Sequence, residues 1–179
     1  MIRIVVPATE AWDPIKEEFI VTEETKLTLE HSLLSVSKWE SKWKVPFVSN
    51  KEMTGEMELD YIRCMCTTPV KDDNVFYVIP IDKLKQIKAY IEDPMSASTF
   101  EEKKKSGARK TLTSEHIYCY MAMYRIPFET EKWHFNRLLN LIRYCGIENS
   151  PPEKMSRNEL LMRNAKLNAE RRARLHTKG

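Results

Sequence analysis

The spacing of apolar residues between positions 131 and 146 constrains this chain more than any other feature. At about 100° per residue, Phe135, Leu138, Leu139, Leu141, Ile142 and Cys145 share one broad arc, a period that helices have and strands lack. Gly146 follows the last apolar position and is expected to close the helix through a left-handed residue, which glycine takes cheaply. On the opposite side Trp133, Arg137, Asn140 and Tyr144 line up at spacings of four, three and four. An apolar face backed by an aromatic-and-arginine face predicts contact on both sides. That describes a binding or assembly protein and names no reaction.

The remainder of the chain supplies a core for such a helix. Its 179 residues, 42% hydrophobic and 31% charged, suit one globular domain, or one domain with an appendage. The formal net charge is +3, but it is unevenly spread. Residues 154–179 hold eight Lys or Arg against Glu159 and Glu170, leaving +6, so residues 1–153 carry −3. A mildly acidic body therefore bears a basic tail. Four cysteines (Cys64, Cys66, Cys119, Cys145) are too few for a dense disulfide framework, and reduced thiols in cytoplasm are expected. A run of about eighteen apolar residues, which a membrane span needs, is missing. The first residues read as a strand and lack the pattern of a signal peptide.

In chain order, Ile2–Val6 is β-branched and stopped by Pro7, and extended pieces follow around 18–22 and 26–30. Two or three short strands predict a small antiparallel meander, marginal unless it packs on something. Ser32 caps a helix over 33–43, which Pro46 prevents from continuing. Leu33, Val36, Trp39 and Trp43 share its inner arc, and both tryptophans are expected in the core. Glu40 lies among them and needs a partner, for which Arg63, Arg137 or Arg143 are candidates. Helices are predicted from Thr54 to Cys66, from Pro80 to Ile91 and from Thr113 to Tyr124. The last is apolar nearly all round and so is expected to be central. Residues 101–110 read as a charged surface loop, Ser150-Pro151-Pro152 as a boundary, and Ser156 with Glu159 as a capping box for a final helix.

That final helix has scattered leucines and one regular stripe, Ala165, Ala169 and Ala173, beside Met162. With so little apolar area it either frays or is ordered by a partner. The predicted architecture is α+β and mostly α: strands over 1–30, a helical core over 31–152, and a basic helix or arm over 153–179.

Site chemistry is sparse. Four glycines form no phosphate-cradling loop, and His31, His116, His134 and His176 have no regular spacing to carboxylates. His116 and Cys119 share a helix face, but Cys64 and Cys66 diverge by about 200° on a helix, which argues against zinc. No cofactor, metal or catalytic constellation is expected, and the protein is read as a non-enzyme. Arg163, Lys166, Arg171, Arg172 and Arg174 could meet nucleic-acid phosphates or an acidic surface, although the tail carries no aromatic residue for base stacking.

Three stretches and the tail carry a family pattern. They are Ser37-Lys38-Trp39-Glu40-Ser41-Lys42-Trp43 leading to Pro46-Phe47; Leu59-Asp60-Tyr61-Ile62-Arg63-Cys64-Met65; and Pro127-Phe128 through Lys132-Trp133-His134, Asn136-Arg137-Leu138-Leu139 and Leu141-Ile142-Arg143. In the tail the pattern runs from Met155-Ser156-Arg157 through Arg163-Asn164 and Leu167-Asn168-Ala169 to Arg171-Arg172. Together, over residues 30–175, they resemble the tail assembly chaperones of tailed, siphovirus-type bacteriophages. The resemblance implies a non-enzymatic assembly factor in the host cytoplasm that coats the helical tape-measure protein and delivers major tail protein subunits to it. A longer, frameshifted form commonly accompanies such proteins. On this reading Trp133, Arg137, Asn140 and Tyr144, with Met162, Ala165, Ala169 and Ala173, grip a partner helix, and self-association is a further expectation. A structural virion protein of the tail or head–tail connector, and a small nucleic-acid-binding protein using the basic helix, remain as alternatives.

Overall fold

The computed structural model describes residues 1–13, 17–50, 52–97, 111–150 and 157–175. The 101–110 loop, the Ser150-Pro151-Pro152 boundary beyond Ser150, and Ser156 of the expected capping box lie outside them. The fold is α+β and mostly helical, with a small antiparallel β region at the N-terminus. Two compact units are distinguished, Met1–Gly146 and Ile147–Gly179.

The first unit begins with four strands: β1 (Ile2–Val6), β2 (Thr9–Asp13), β3 (Glu18–Thr22) and β4 (Thr25–Leu29). They do not form the expected meander. β1 pairs with β4 and β2 with β3, giving two separate two-stranded antiparallel sheets, one hairpin nested inside the other. In the β1–β4 register Ile4 faces Leu27 and Ile2 faces Leu29. Ile4, Val6, Leu27 and Leu29 are buried, each at 3% exposure or less. Burying four such side chains contributes about 1.5–3 kcal/mol apiece, which is how a ribbon marginal on its own is held.

Beyond β4 the chain is a hub for distant backbone. Thr67 donates to the Thr28 carbonyl, Glu30 donates to the Met65 carbonyl, and Phe135 donates to the His31 carbonyl at 2.7 Å. The second edge of β4 is thus occupied, which blunts an otherwise open strand edge.

Helix α1 (Leu33–Trp43) starts at Ser32, whose side chain accepts from the Ser35 amide while Ser35 Oγ accepts from the Ser32 amide. It ends in a left-handed residue, Lys44 (φ 58°), whose amide donates to the Glu40 carbonyl. Trp39 is fully buried and its indole N–H donates to the Met57 carbonyl; half-buried Trp43 donates to Asp60 Oδ2. Lys42 pairs with the same Asp60. Asp60, Tyr61, Ile62 and Met65 are the buried residues of α2 (Gly55–Met65), which starts at a Thr54 cap.

Glu40 is buried, and the partners it shows among the described residues are backbone amides. Its Oε1 accepts from the Phe47 amide at 2.8 Å and its Oε2 from the Ser114 amide at 2.7 Å. Of the three arginines expected there, Arg63 lies over the Phe76 and Tyr77 rings and Arg137 over Trp133, while Arg143 is exposed. Ser114 opens α4 (Ser114–Met123), so the carboxylate meets the positive end of a helix dipole as well as two amides.

A 3-10 segment over Asp73–Phe76 and α3 (Ile81–Glu92) follow α2. α4 is not the central helix its composition suggested. Only Ser114, Ile117 and Met121 are buried, while Cys119, Tyr120 and Met123 are exposed, so one narrow i, i+3, i+7 stripe faces the core. It closes with a Schellman motif in which the Ile126 amide donates to Met121 and the Arg125 amide to Ala122. Arg125 occupies the left-handed position (φ 55°) that glycine usually takes.

A 3-10 segment over Phe128–Lys132 leads to α5 (Phe135–Glu148). The apolar arc read from the sequence faces inward: Phe135 and Leu138 are buried, and Leu139, Leu141, Ile142 and Cys145 pack against the core. Gly146 does not end the helix. It is an interior position where a Cβ would lie 3.2 Å from the Tyr124 hydroxyl oxygen, so the glycine accommodates a close side chain. In the second unit, α6 (Arg157–Leu175) exposes every one of its described side chains.

Candidate functional site

The aromatic-and-arginine face predicted around 133–144 is built differently from a helical stripe. Trp133 is not in α5; it is the extended residue (φ −70°, ψ 162°) that closes the preceding 3-10 segment, its amide donating to the Thr130 carbonyl. One turn into α5, the Arg137 guanidinium lies 4.5 Å from the centre of the Trp133 ring. That cation–π stack fixes two long side chains against each other at the surface. Trp133 is 38% exposed and Tyr144, further along α5, 52%.

Asn140 leaves this set. Its side-chain amide donates to the Pro94 carbonyl at 3.0 Å, and Asn136 donates to both Ile91 (2.9 Å) and Asp93 (2.8 Å). The His134 ring meets the Tyr90 carbonyl through Nε2 at 2.9 Å. A carbonyl only accepts, so Nε2 carries the proton. The last carbonyls of α3, which lack basic residues in their own final turn, are therefore capped by side chains at the start of α5. Asn136, Asn140 and His134 hold the platform that presents Trp133 and Arg137.

On α6, Met162 is 75% exposed, and Ala165, Ala169 and Ala173 are exposed with it. Arg163, Lys166, Arg171, Arg172 and Arg174 are exposed as well. The small-residue stripe and the basic residues thus lie on a helix with no buried described side chain.

Two features escaped the sequence reading. Between α2 and α3 lies a largely apolar groove of about 530 Å³, lined by Phe47, Leu59, Ile62, Leu84, Ile87 and Ile91, with Lys85, Lys88, Glu58 and Glu92 also along it. Its residues follow ordinary core spacing, so nothing in the sequence distinguished a groove from a filled interface. The other is a buried histidine–tyrosine cluster. His31 Nδ1 shares a hydrogen bond with the Tyr61 hydroxyl, and its ring meets His134 edge to face at 5.0 Å. Tyr90 donates to Glu30 Oε1 at 2.6 Å. Burial, with the His134 ring second, pushes the His31 imidazole down to about 3, so it stays neutral. Burial first, and then the Glu30 carboxylate, raise the Tyr90 hydroxyl. Neutral His31 and protonated tyrosines, hydrogen-bonded within the cluster, suit a structural polar core.

The thiols of Cys64 and Cys66 are raised by burial. The His116 ring bonds the Thr113 side chain at 2.9 Å. Among the described residues no group of three or more His, Cys, Asp or Glu could hold a metal ion, and no helix is long and apolar enough to cross a membrane. No family model matches the chain, and neither a curated protein nor a solved structure matches it.

Proposed function

We propose that this chain is a non-enzymatic assembly factor of a tailed bacteriophage, a tail assembly chaperone that binds the tape-measure protein and tail-tube subunits. The viral part of the reading rests on the sequence resemblance. The binding part rests on one observation, the Arg137 guanidinium stacked on an exposed Trp133, with Tyr144 exposed about two turns further along α5. Tryptophan, tyrosine and arginine are the residues that dominate protein–protein hot spots, and prior stacking lowers the entropy lost when they are covered. A helical client could lay an apolar stripe across such a patch, and repeated copies along a long client would add avidity.

A structural virion protein of the tail or head–tail connector is the second reading, favoured by α6, whose described side chains are all exposed. Co-expression with the tape-measure protein of the same phage, together with protein analysis of purified virions, separates the two. Co-purification with that client and absence from virions supports the chaperone. Presence in virions at stoichiometric amounts, without client binding, supports the structural protein.

A further inference from the structure

The β2–β3 ribbon turns an apolar face to solvent. In its register Glu10 opposes Val21 and Trp12 opposes Phe19, so these four side chains share one side. All are exposed, Trp12 at 53%, Phe19 at 61% and Val21 at 68%, and the two rings meet edge to face at 5.0 Å. Residues 9–25 carry six carboxylates against the single Lys16, a net charge of −5. Two such ribbons repel one another. A basic element with apolar side chains on the same face fits instead.

α6 has that character. At about 100° per residue, Leu160, Leu167, Arg171 and Arg174 fall within an arc of about 60°, on the side away from Ala165, Ala169 and Ala173. Leu160 and Leu167 are 48% and 41% exposed, both arginines are exposed, and residues 157–175 carry +4.

We propose that α6 of one copy docks on the β2–β3 ribbon of a second copy. Leu160 and Leu167 cover the Trp12–Phe19–Val21 face, and Arg171 and Arg174 stack on its rings and face Glu10 and Glu17. Each chain carries one of each surface and the two surfaces differ, so the contact is head-to-tail and builds rings or open chains. It uses none of Trp133, Arg137 and Tyr144 and does not depend on the client reading.

Sedimentation of the full chain over a hundredfold concentration range tests this, with circular dichroism as the control for folding. The wild type should pass from monomer to larger species with concentration, and return towards monomer in high salt. Glu10→Lys with Glu17→Lys, or Arg171→Glu with Arg174→Glu, should each weaken self-association by about tenfold or more. All four sites are exposed, so both variants should keep the wild-type spectrum. Mixing the two variants brings the unaltered ribbon of one to the unaltered helix of the other, sets the reversed charges of the two against each other, and should restore the larger species. A wild type that stays monomeric throughout, self-association that survives both pairs of reversals, or a mixture that fails to associate would each overturn the proposal.

Discussion

Glu40 on α1 accepts a 2.7 Å hydrogen bond from the backbone amide of Ser114, the first residue of α4, although 74 positions separate them. Its other oxygen accepts from the Phe47 amide at 2.8 Å. One carboxylate therefore closes the loop after α1 and anchors the N-terminus of α4. Glu40→Ala leaves two amides without this partner and should cost about 3 kcal/mol in urea denaturation, whereas Glu40→Gln, which keeps one acceptor, should cost about 1 kcal/mol. Equal losses for the two variants would mean that the carboxylate's acceptors are not what holds α4.

Arg125 offers a gain. It sits at φ 55° in the Schellman motif after α4, a conformation that costs every residue but glycine. Arg125→Gly should raise stability by about 0.5–1 kcal/mol, visible as a higher urea midpoint at unchanged slope. A lower midpoint would show that the arginine side chain stabilises the fold by more than its strained backbone costs.

The buried His31 makes stability depend on pH with a definite sign. Its folded value is about 3 against 6.5 unfolded, the lowering due first to burial and then to His134. Above the unfolded value neither state is protonated there, so the histidine contributes no slope. Between 6.5 and 3 the unfolded chain binds a proton that the folded chain refuses, and stability should fall by up to about 1.4 kcal/mol per pH unit. Urea midpoints from neutral pH to pH 4 should show this decline, and His31→Gln should make it shallower. Identical slopes in both proteins would place the acid sensitivity elsewhere.

Asn136 caps two carbonyls at the end of α3. Asn136→Ala should destabilise the protein by about 1–2 kcal/mol and speed amide exchange in the last turn of α3 more than elsewhere. Uniform acceleration across the fold would argue against a local cap.

What the sequence made readable was local. Ser32, Thr54 and Thr113 mark helix starts because capping chemistry acts within three residues, and Pro80 marks a fourth through its fixed φ. The inner arcs of α1 and α5 follow from periodicity in the same way. Partners far apart in the chain were not readable. β-branched runs announce strands, but nothing local says that β1 pairs with β4 across an inserted hairpin, and β2 itself, carrying Glu10 and Asp13, lacks the signature of a buried strand. Glu40 suggested an arginine because carboxylates pair with cations by habit, whereas backbone amides carry no sequence signal.

The candidate site was half legible for the same reason. Trp133, Arg137 and Tyr144 are exposed as helical spacing suggested, yet Trp133 joins Arg137 from outside the helix through a cation–π stack. Asn140 was indistinguishable in sequence from a surface residue, because its acceptor belongs to the turn after α3.

The binding affinity of the Trp133→Ala, Tyr144→Ala double variant for the co-expressed helical client tests the central claim most directly. Both side chains are more than a third exposed, so the variant should keep the wild-type circular dichroism spectrum and urea midpoint. Removing two hot-spot aromatics should cost about 2–4 kcal/mol of binding, a loss of at least thirtyfold in affinity. Wild-type affinity in a folded double variant, or unfolding of that variant, would contradict the assignment of this face to partner recognition.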